Sequence, residues 1–98
     1  MNHTFTIADT HPSLEGHFPG NPVVPGVVIL DEVFNIIKLL QADLVITAIA
    51  NVKFVQPLLA GQDVTVEINT KNETTLSFTC SHNNTKMVTG QLTVKSLS

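Results

Sequence analysis

The sequence predicts a small α+β domain in which one long helix packs against an antiparallel sheet. The first observation is a stretch without glycine or proline after Gly26, which predicts a helix over residues 26–42. The second is that apolar and polar residues alternate after Asp43, which predicts strands. The third is the length of 98 residues, which suits one domain over residues 1–98.

The helix prediction rests on length and arrangement, because many residues of this segment are β-branched and have modest helix propensity. Its polar residues recur at helical spacing: Glu32, Asn35, Lys38 and Gln41. The first turn, residues 27–30, is apolar on every side. We therefore expect that turn to be buried all round.

The strands are predicted from period-two patterns at residues 3–7, 49–56, 63–70, 74–81 and 85–95. Turns are predicted at Ala60-Gly61, Lys71-Asn72 and Asn83-Asn84, the last as a tight hairpin. The predicted order is a short strand, a loop, the helix and then an antiparallel meander.

Composition restricts the possible functions. Hydrophobic residues make up 43% and charged residues 13%, and the net charge is −3 with no arginine. Nucleic acid is therefore not expected as a partner. A domain of this size cannot easily enclose a deep pocket, so the apolar composition favours a dimer whose interface holds the site.

The location predicted from the sequence is the cytoplasm. The single cysteine cannot form an internal disulfide, which suits a reducing compartment. No signal peptide is recognised at the N-terminus, and no apolar run approaches the length of a membrane span.

A proline-rich segment precedes the helix and holds the first candidate residue. Prolines at positions 12, 19, 22 and 25 exclude a regular helix or central strand, so this segment is predicted to be a stiff loop. His17 lies in it between Gly16 and Phe18-Pro19-Gly20. It suits a general base or acid near neutral pH, and the alternative is a structural histidine bonded to a backbone carbonyl.

The helix supplies the second set of candidates. Asp31 shares a helical sector with Asn35 and Lys38, and is either a solvated carboxylate or a buried acid that holds a proton to donate. Gly26 and Val27 leave backbone N–H groups free at the positive end of the helix dipole. These groups either bind an anion or polarise a carbonyl, or are satisfied by water as at an ordinary helix end.

No metal or cofactor is predicted. The four histidines show no metal-ligand spacing, and glycine-rich phosphate loops and nucleophile-elbow motifs are lacking. Cys80 falls on the inward face of a predicted strand and is expected to be a core residue.

Residues 16–31, GHFPGNPVVPGVVILD, resemble the signature of the FabA/FabZ 3-hydroxyacyl-[acyl-carrier-protein] dehydratases, which have the hotdog fold. The segments KFVQP at 53–57 and AGQD at 60–63 are similar to a further part of that family. The chain is shorter than typical FabZ and FabA proteins and looks closer to the small stand-alone dehydratases of aryl-polyene-type clusters. The acid is FabA-like, whereas the HFPG loop is FabZ-like.

The resemblance implies roles for several residues. His17 matches the catalytic histidine, Asp31 the catalytic acid and the Gly26 N–H the donor to the thioester carbonyl. The substrate site would include Phe18, Val27, Val28 and Phe34. The substrate would be carried by an acyl carrier protein, no cofactor would be needed, and a homodimer would share its active sites between subunits.

Two other functions remain open at this point. One is a hotdog acyl thioesterase, which uses a carboxylate and water and generally lacks the HFPG loop. The other is a non-catalytic acyl-thioester-binding partner, against which the His17 and Asp31 pair argues.

Overall fold

The computed structural model of the chain describes residues 2–7 and 23–97. Within them, five antiparallel strands form one sheet in the order β1-β3-β4-β5-β2, and one helix packs against it. The elements are β1 (Asn2–Thr6), α1 (Gly26–Leu40), β2 (Leu44–Phe54), β3 (Asp63–Asn72), β4 (Thr75–His82) and β5 (Thr85–Ser96). The α+β prediction, with one long helix against an antiparallel sheet, is confirmed.

Helix α1 begins after Pro25, whose ψ of 143° is extended and whose carbonyl accepts the first helical hydrogen bonds. It ends where the Gln41 N–H donates to the Ile37 carbonyl at 2.8 Å. One face of the helix is buried: Val28, Ile29, Val33, Ile36 and Ile37. Packing of this face stabilises a segment whose β-branched residues have modest helix propensity.

The inner face of the sheet supplies the other half of the core. The alternation predicted for β3, β4 and β5 is confirmed, because the apolar residue of each pair is buried. The buried apolar strand residues are Phe5, Val64, Val66, Ile68, Leu76, Phe78, Cys80, Met87, Val88, Leu92 and Val94. The register places Val66 opposite Cys80 and Cys80 opposite Val88, so these side chains form a continuous layer under α1.

The turns follow local chemistry. Asn83 and Asn84 have φ angles of 49° and 64°, as a two-residue hairpin requires, and this prediction is confirmed. The turn predicted at Lys71-Asn72 lies two residues later, at residues 73–74. The reason is the Asn72 side chain, whose Oδ1 accepts a hydrogen bond from the Thr74 N–H at 2.9 Å.

Strand β2 departs from the sequence prediction in both length and place. It begins at Leu44 rather than at Ile49, and it pairs with β5 at the edge of the sheet. The predicted meander is therefore wrong for β2, which pairs with β5 rather than with β3, whereas β3, β4 and β5 follow one another as predicted. Since most β2 side chains are exposed, residues 44–48 show no alternation that would have marked them as part of the strand.

Candidate functional site

The N-terminus of α1 offers two backbone donors. The N–H groups of Val28 and Ile29 donate to the Pro25 carbonyl at 3.0 and 3.4 Å. The N–H groups of Gly26 and Val27 make no hydrogen bond to another of the residues described. They lie at the positive end of the helix dipole, where a carbonyl oxygen that gains negative charge is stabilised.

The aromatic ring of Phe54 forms one wall of this site. A Cβ atom added to Gly26 would lie 2.6 Å from Cζ of Phe54, so the ring rests directly on the glycine backbone. Phe54 is the last residue of β2 and is 52% exposed. Sequence reasoning did not single out Phe54; its only signal was the KFVQP segment, which resembles part of the dehydratase pattern.

Asp31 lies one helical turn after Val27 on the exposed face of α1. Asn35 and Lys38 continue the same stripe, and Phe34 lies half-buried at its edge. The expected burial of the first turn on every side is wrong, because Val27 is 73% exposed, and Asp31 after it is exposed too. The physical reason is that α1 lays one face on the sheet, and no other described element covers the opposite face.

Val28 has a different place from its neighbour. Its side chain is buried in the core of the single chain, between α1 and the sheet, and does not lie on the exposed stripe that carries Asp31. Of the residues assigned to a substrate site from the sequence, the structure therefore brings Gly26, Val27 and Phe34 to the exposed side of α1.

His17 and Phe18 lie outside the described residues. Both described flanks of that segment are anchored to one region, because Val24 N–H donates to the Leu58 carbonyl and Gly61 N–H donates to the Ile7 carbonyl, each at 2.8 Å. Val23 also forms a β-bridge with Leu59. The pairing of His17 with Asp31 stays a prediction.

An apolar groove continues from the Asp31 stripe towards the C-terminal end of α1. Its volume is about 470 Å³, and it lies between the helix and the first half of β2. The walls include Phe34 and Ile37 of α1 and Leu44 and Ile46 of β2. Such a surface suits an apolar ligand rather than a charged one.

Neither metal chemistry nor a reactive thiol is evident in the part of the chain described. No cluster of three or more metal-ligating side chains is found among residues 2–7 and 23–97. Cys80 is buried, as predicted, and burial raises its pKa to about 12. The thiol is therefore protonated at neutral pH. No helix in these ranges is long and apolar enough to cross a membrane.

A five-stranded antiparallel sheet that packs on one long helix, in a chain that superposes on solved dehydratase and thioesterase structures, defines a hotdog-fold protein. Within that class, the sequence model of the ApeI-like family, described as ApeI dehydratase, matches residues 1–91. The chain belongs to this family.

Individual relatives agree with this placement. A 3-hydroxyacyl-[acyl-carrier-protein] dehydratase FabZ from Geotalea uraniireducens is 36% identical over 69 residues, which are 60% of this chain and 48% of that protein. The chain spans about half the length of the curated relatives it matches.

Solved structures show the same fold. The dehydratase heterocomplex ApeI:P from Xenorhabdus doucetiae contains a chain with a TM-score of 0.81 and 26% identity, covering 95% of this chain and 84% of that one. A protein from Erwinia carotovora subsp. atroseptica has a TM-score of 0.84 and 24% identity, covering 98% of this chain and 82% of that one.

Proposed function

We propose that the chain is a 3-hydroxyacyl-[acyl-carrier-protein] dehydratase, which removes water from a 3-hydroxyacyl thioester to give the trans-2-enoyl thioester. The observation that carries the proposal is the position of Asp31. It lies on the exposed stripe of α1, one turn after the free N–H groups, in a chain of a dehydratase family. Asp31 lies five positions after Gly26 in the helix, a rise of about 7.5 Å.

The proposed chemistry uses three groups. The Gly26 N–H and the helix dipole accept the developing negative charge on the thioester oxygen. Neutral His17 takes the proton from C2, and the electrons of that bond form the C2–C3 double bond as the C3–O bond breaks. Protonated Asp31 gives its proton to the departing hydroxyl, which leaves as water. Transfer of the proton from His17 back to Asp31 restores both groups.

The proposed acid, Asp31, has to be shielded from water, and a single chain does not shield it. An aspartate that holds a proton near neutral pH needs an environment shielded from water. Asp31 is exposed in the single chain, so a second surface has to close over the α1 stripe.

A second copy of the chain, paired along β2, is the proposed cover. One edge of β2 pairs with β5, and its other edge has no partner strand among the residues described. Exposed apolar side chains follow this strand: Val45, Ile49, Phe54 and, just beyond it, Val55. A long apolar edge favours association with another strand, and pairing with an identical edge gives a closed symmetric dimer.

Carrier and location complete the proposal. The substrate is proposed to arrive on an acyl carrier protein, in line with the activity in the names of the curated relatives. A cytoplasmic location is supported by the free thiol of Cys80, because reducing compartments keep cysteines unpaired.

Mass spectrometry of a purified 3-hydroxyacyl carrier protein tests the activity. The wild-type protein is expected to remove one water from the acyl group. His17→Ala and Asp31→Asn are each expected to lower the rate by about 100-fold or more, since each removes a proton-transfer group. Glu32→Gln is the matched control, because Glu32 neighbours Asp31 but lies off the exposed stripe.

The other outcomes contradict the proposal. An unchanged acyl carrier would favour the non-catalytic binding role. Release of free carrier thiol would identify a thioesterase, above all if that activity survives His17→Ala. An Asp31→Asn variant as active as Glu32→Gln would remove Asp31 from the mechanism.

A further inference from the structure

The first turn of α1 lacks the polar side-chain contacts that usually fix the start of a helix. Pro25 precedes the helix and makes no side-chain cap, and no acidic residue lies in the first turn. The N–H groups of Gly26 and Val27 have no backbone partner among the described residues. A helix end of this kind frays unless packing holds it, so neighbouring side chains decide where these two amides lie.

The ring of Phe54 covers Gly26 on the side where other residues carry a side chain. A Cβ atom at Gly26 would have three atoms of this ring as its nearest neighbours outside the first turn, at 2.6, 2.9 and 3.3 Å. Standard bond lengths then place Cζ of Phe54 within about 4 Å of the Gly26 Cα and about 5 Å of its nitrogen. The ring therefore rests on the same residue whose N–H is proposed to meet the thioester oxygen.

The strand end that carries Phe54 is itself held by the sheet. Phe54 pairs with Val88 of β5. The next two N–H groups, of Val55 and Gln56, both donate to the Met87 carbonyl, at 2.8 and 3.2 Å. The ring thus projects from a fixed backbone onto a helix start that has no polar cap. The physical dependence therefore runs from β2 to α1, because the sheet holds Phe54 and Phe54 holds the first turn.

Part of the ring remains exposed, and this part adds to its effect. Phe54 is 52% exposed, and Val27, which carries the second free amide, is 73% exposed. An apolar ring against Gly26 keeps water from one side of its N–H group. A hydrogen bond to an oxygen that gains negative charge is stronger in less polar surroundings. The ring therefore both fixes the amide and strengthens the bond that the amide donates.

We propose that Phe54 is a positioning residue for the removal of water. Its ring holds the first turn of α1 so that the Gly26 N–H meets the thioester oxygen as negative charge develops there. The inference rests on the proposed dehydratase function and adds a residue that acts through the amide rather than on the reacting atoms. Loss of the ring lets the amide move, so stabilisation of the transition state falls while binding of the substrate changes little.

NMR spectroscopy measures the position of the amide independently of activity. The chain has five glycines, and the Gly26 amide signal is the one that Gly26→Ala removes from their region of the spectrum. An aromatic ring at this distance shifts the proton signals of Gly26, and Phe54→Leu is expected to abolish that shift. S-butyryl-N-acetylcysteamine is a thioester with no hydroxyl to lose. It is expected to move the Gly26 amide signal in the wild-type protein and to move it less in Phe54→Leu.

The kinetic test is water loss from a 3-hydroxybutyryl carrier protein, with every variant in the same association state by sedimentation. Phe54→Leu is expected to lower kcat about tenfold and to leave KM almost unchanged, because the weakened interaction acts in the transition state. Phe5→Leu is the matched control, since it makes the same substitution in a buried position of β1, at the opposite edge of the sheet. It is expected to lower stability and to keep the wild-type kcat.

Gly26→Ala provides a second kinetic measurement. The variant keeps the N–H group and adds the methyl group for which the Phe54 ring leaves no room. It is expected to lower kcat in the wild-type chain, because the ring and the amide cannot both keep their places. In a Phe54→Leu chain the same substitution is expected to lower kcat by a factor about threefold smaller, since the shorter side chain leaves that space free.

The outcomes separate this inference from the proposed function. Water loss by Phe54→Leu at the wild-type kcat would overturn the role of Phe54 and leave the dehydratase standing, as would a Gly26 amide signal that the substitution does not move. An equal fall in kcat for Phe54→Leu and Phe5→Leu would also overturn it, because both would then act through stability alone. Failure of the wild-type protein to remove water would overturn the dehydratase function and this inference with it.

Discussion

Burial alone changes the chemistry of Cys80. The residue lies in the middle of β4, opposite Val66 on one side and Val88 on the other, and it is fully enclosed. Burial raises its pKa to about 12, because the thiolate would lose its hydration in this apolar layer. The residue is thus a core component of the sheet rather than a nucleophile.

This burial predicts a loss of stability at alkaline pH. The thiol ionises near pH 9.0 in the unfolded chain, whereas the folded one holds its proton until about pH 12, so the folded state binds more protons between these values. The free energy of unfolding is therefore expected to fall as pH rises through this window, by about 4 kcal/mol at full extent. Urea denaturation at several pH values measures it.

Cys80→Ala separates this effect from the titration of other groups. The variant loses buried volume, which lowers stability by a similar amount at every pH. It lacks the thiol, so its stability is expected to fall less steeply above pH 9 than that of the wild-type protein. Parallel curves for the two proteins would contradict the role assigned to Cys80.

At the scale of elements, the start of α1 and the end of β2 are fitted to each other. The Phe54 ring occupies the space that any side chain at Gly26 would need. Gly26→Ala is expected to lower the free energy of unfolding by about 1–3 kcal/mol, because the ring must move or the helix end must shift. Chemical denaturation of the single and double variants measures this coupling.

Phe54→Leu provides the matched background. Leucine is shorter than phenylalanine and leaves room where Cζ of the ring now lies, so Gly26→Ala is expected to cost much less in a Phe54→Leu chain. The coupling energy in such a double-mutant cycle should exceed 0.5 kcal/mol, a typical lower value for residues in contact. Additive effects would show that the two elements do not meet as described.

The elements also show what a sequence can predict and what it cannot. α1 and β3 to β5 were predictable because each buries one face, and burial of one face leaves a regular period in the sequence. β2 was predicted too short because it lies at the sheet edge with most side chains exposed. Its pairing with β5 is a tertiary contact that no local pattern records.

In the candidate site, too, some residues could be predicted from the sequence and others could not. Asp31 and Gly26 could be singled out because helix position and residue type are properties of the sequence itself. The exposure of Val27 could not be predicted, because it depends on which face of the helix meets the sheet. Phe54 was missed for a similar reason, since its contact with Gly26 joins residues that are far apart in the chain.

At the scale of the whole molecule, the exposed stripe of α1 and the open edge of β2 are two surfaces that the proposed dimer would bury together. A single chain leaves both the proposed acid and a row of apolar side chains in water. Pairing of two β2 edges would bury the apolar row and bring a second surface over the stripe. Association and activity are therefore expected to depend on each other.

Ile49→Lys tests this dependence. Ile49 lies at the centre of β2 and is 48% exposed, so a lysine there places like charges close together when two β2 edges pair. Sedimentation is expected to show a wild-type dimer and a monomeric variant, and dehydratase activity should fall with the dimer fraction. Thr4→Lys, on the exposed edge strand β1, is the matched control and should remain dimeric and active. A wild-type monomer would contradict pairing with a second copy, and a monomeric but fully active Ile49→Lys variant would show that the acid needs no cover from a partner.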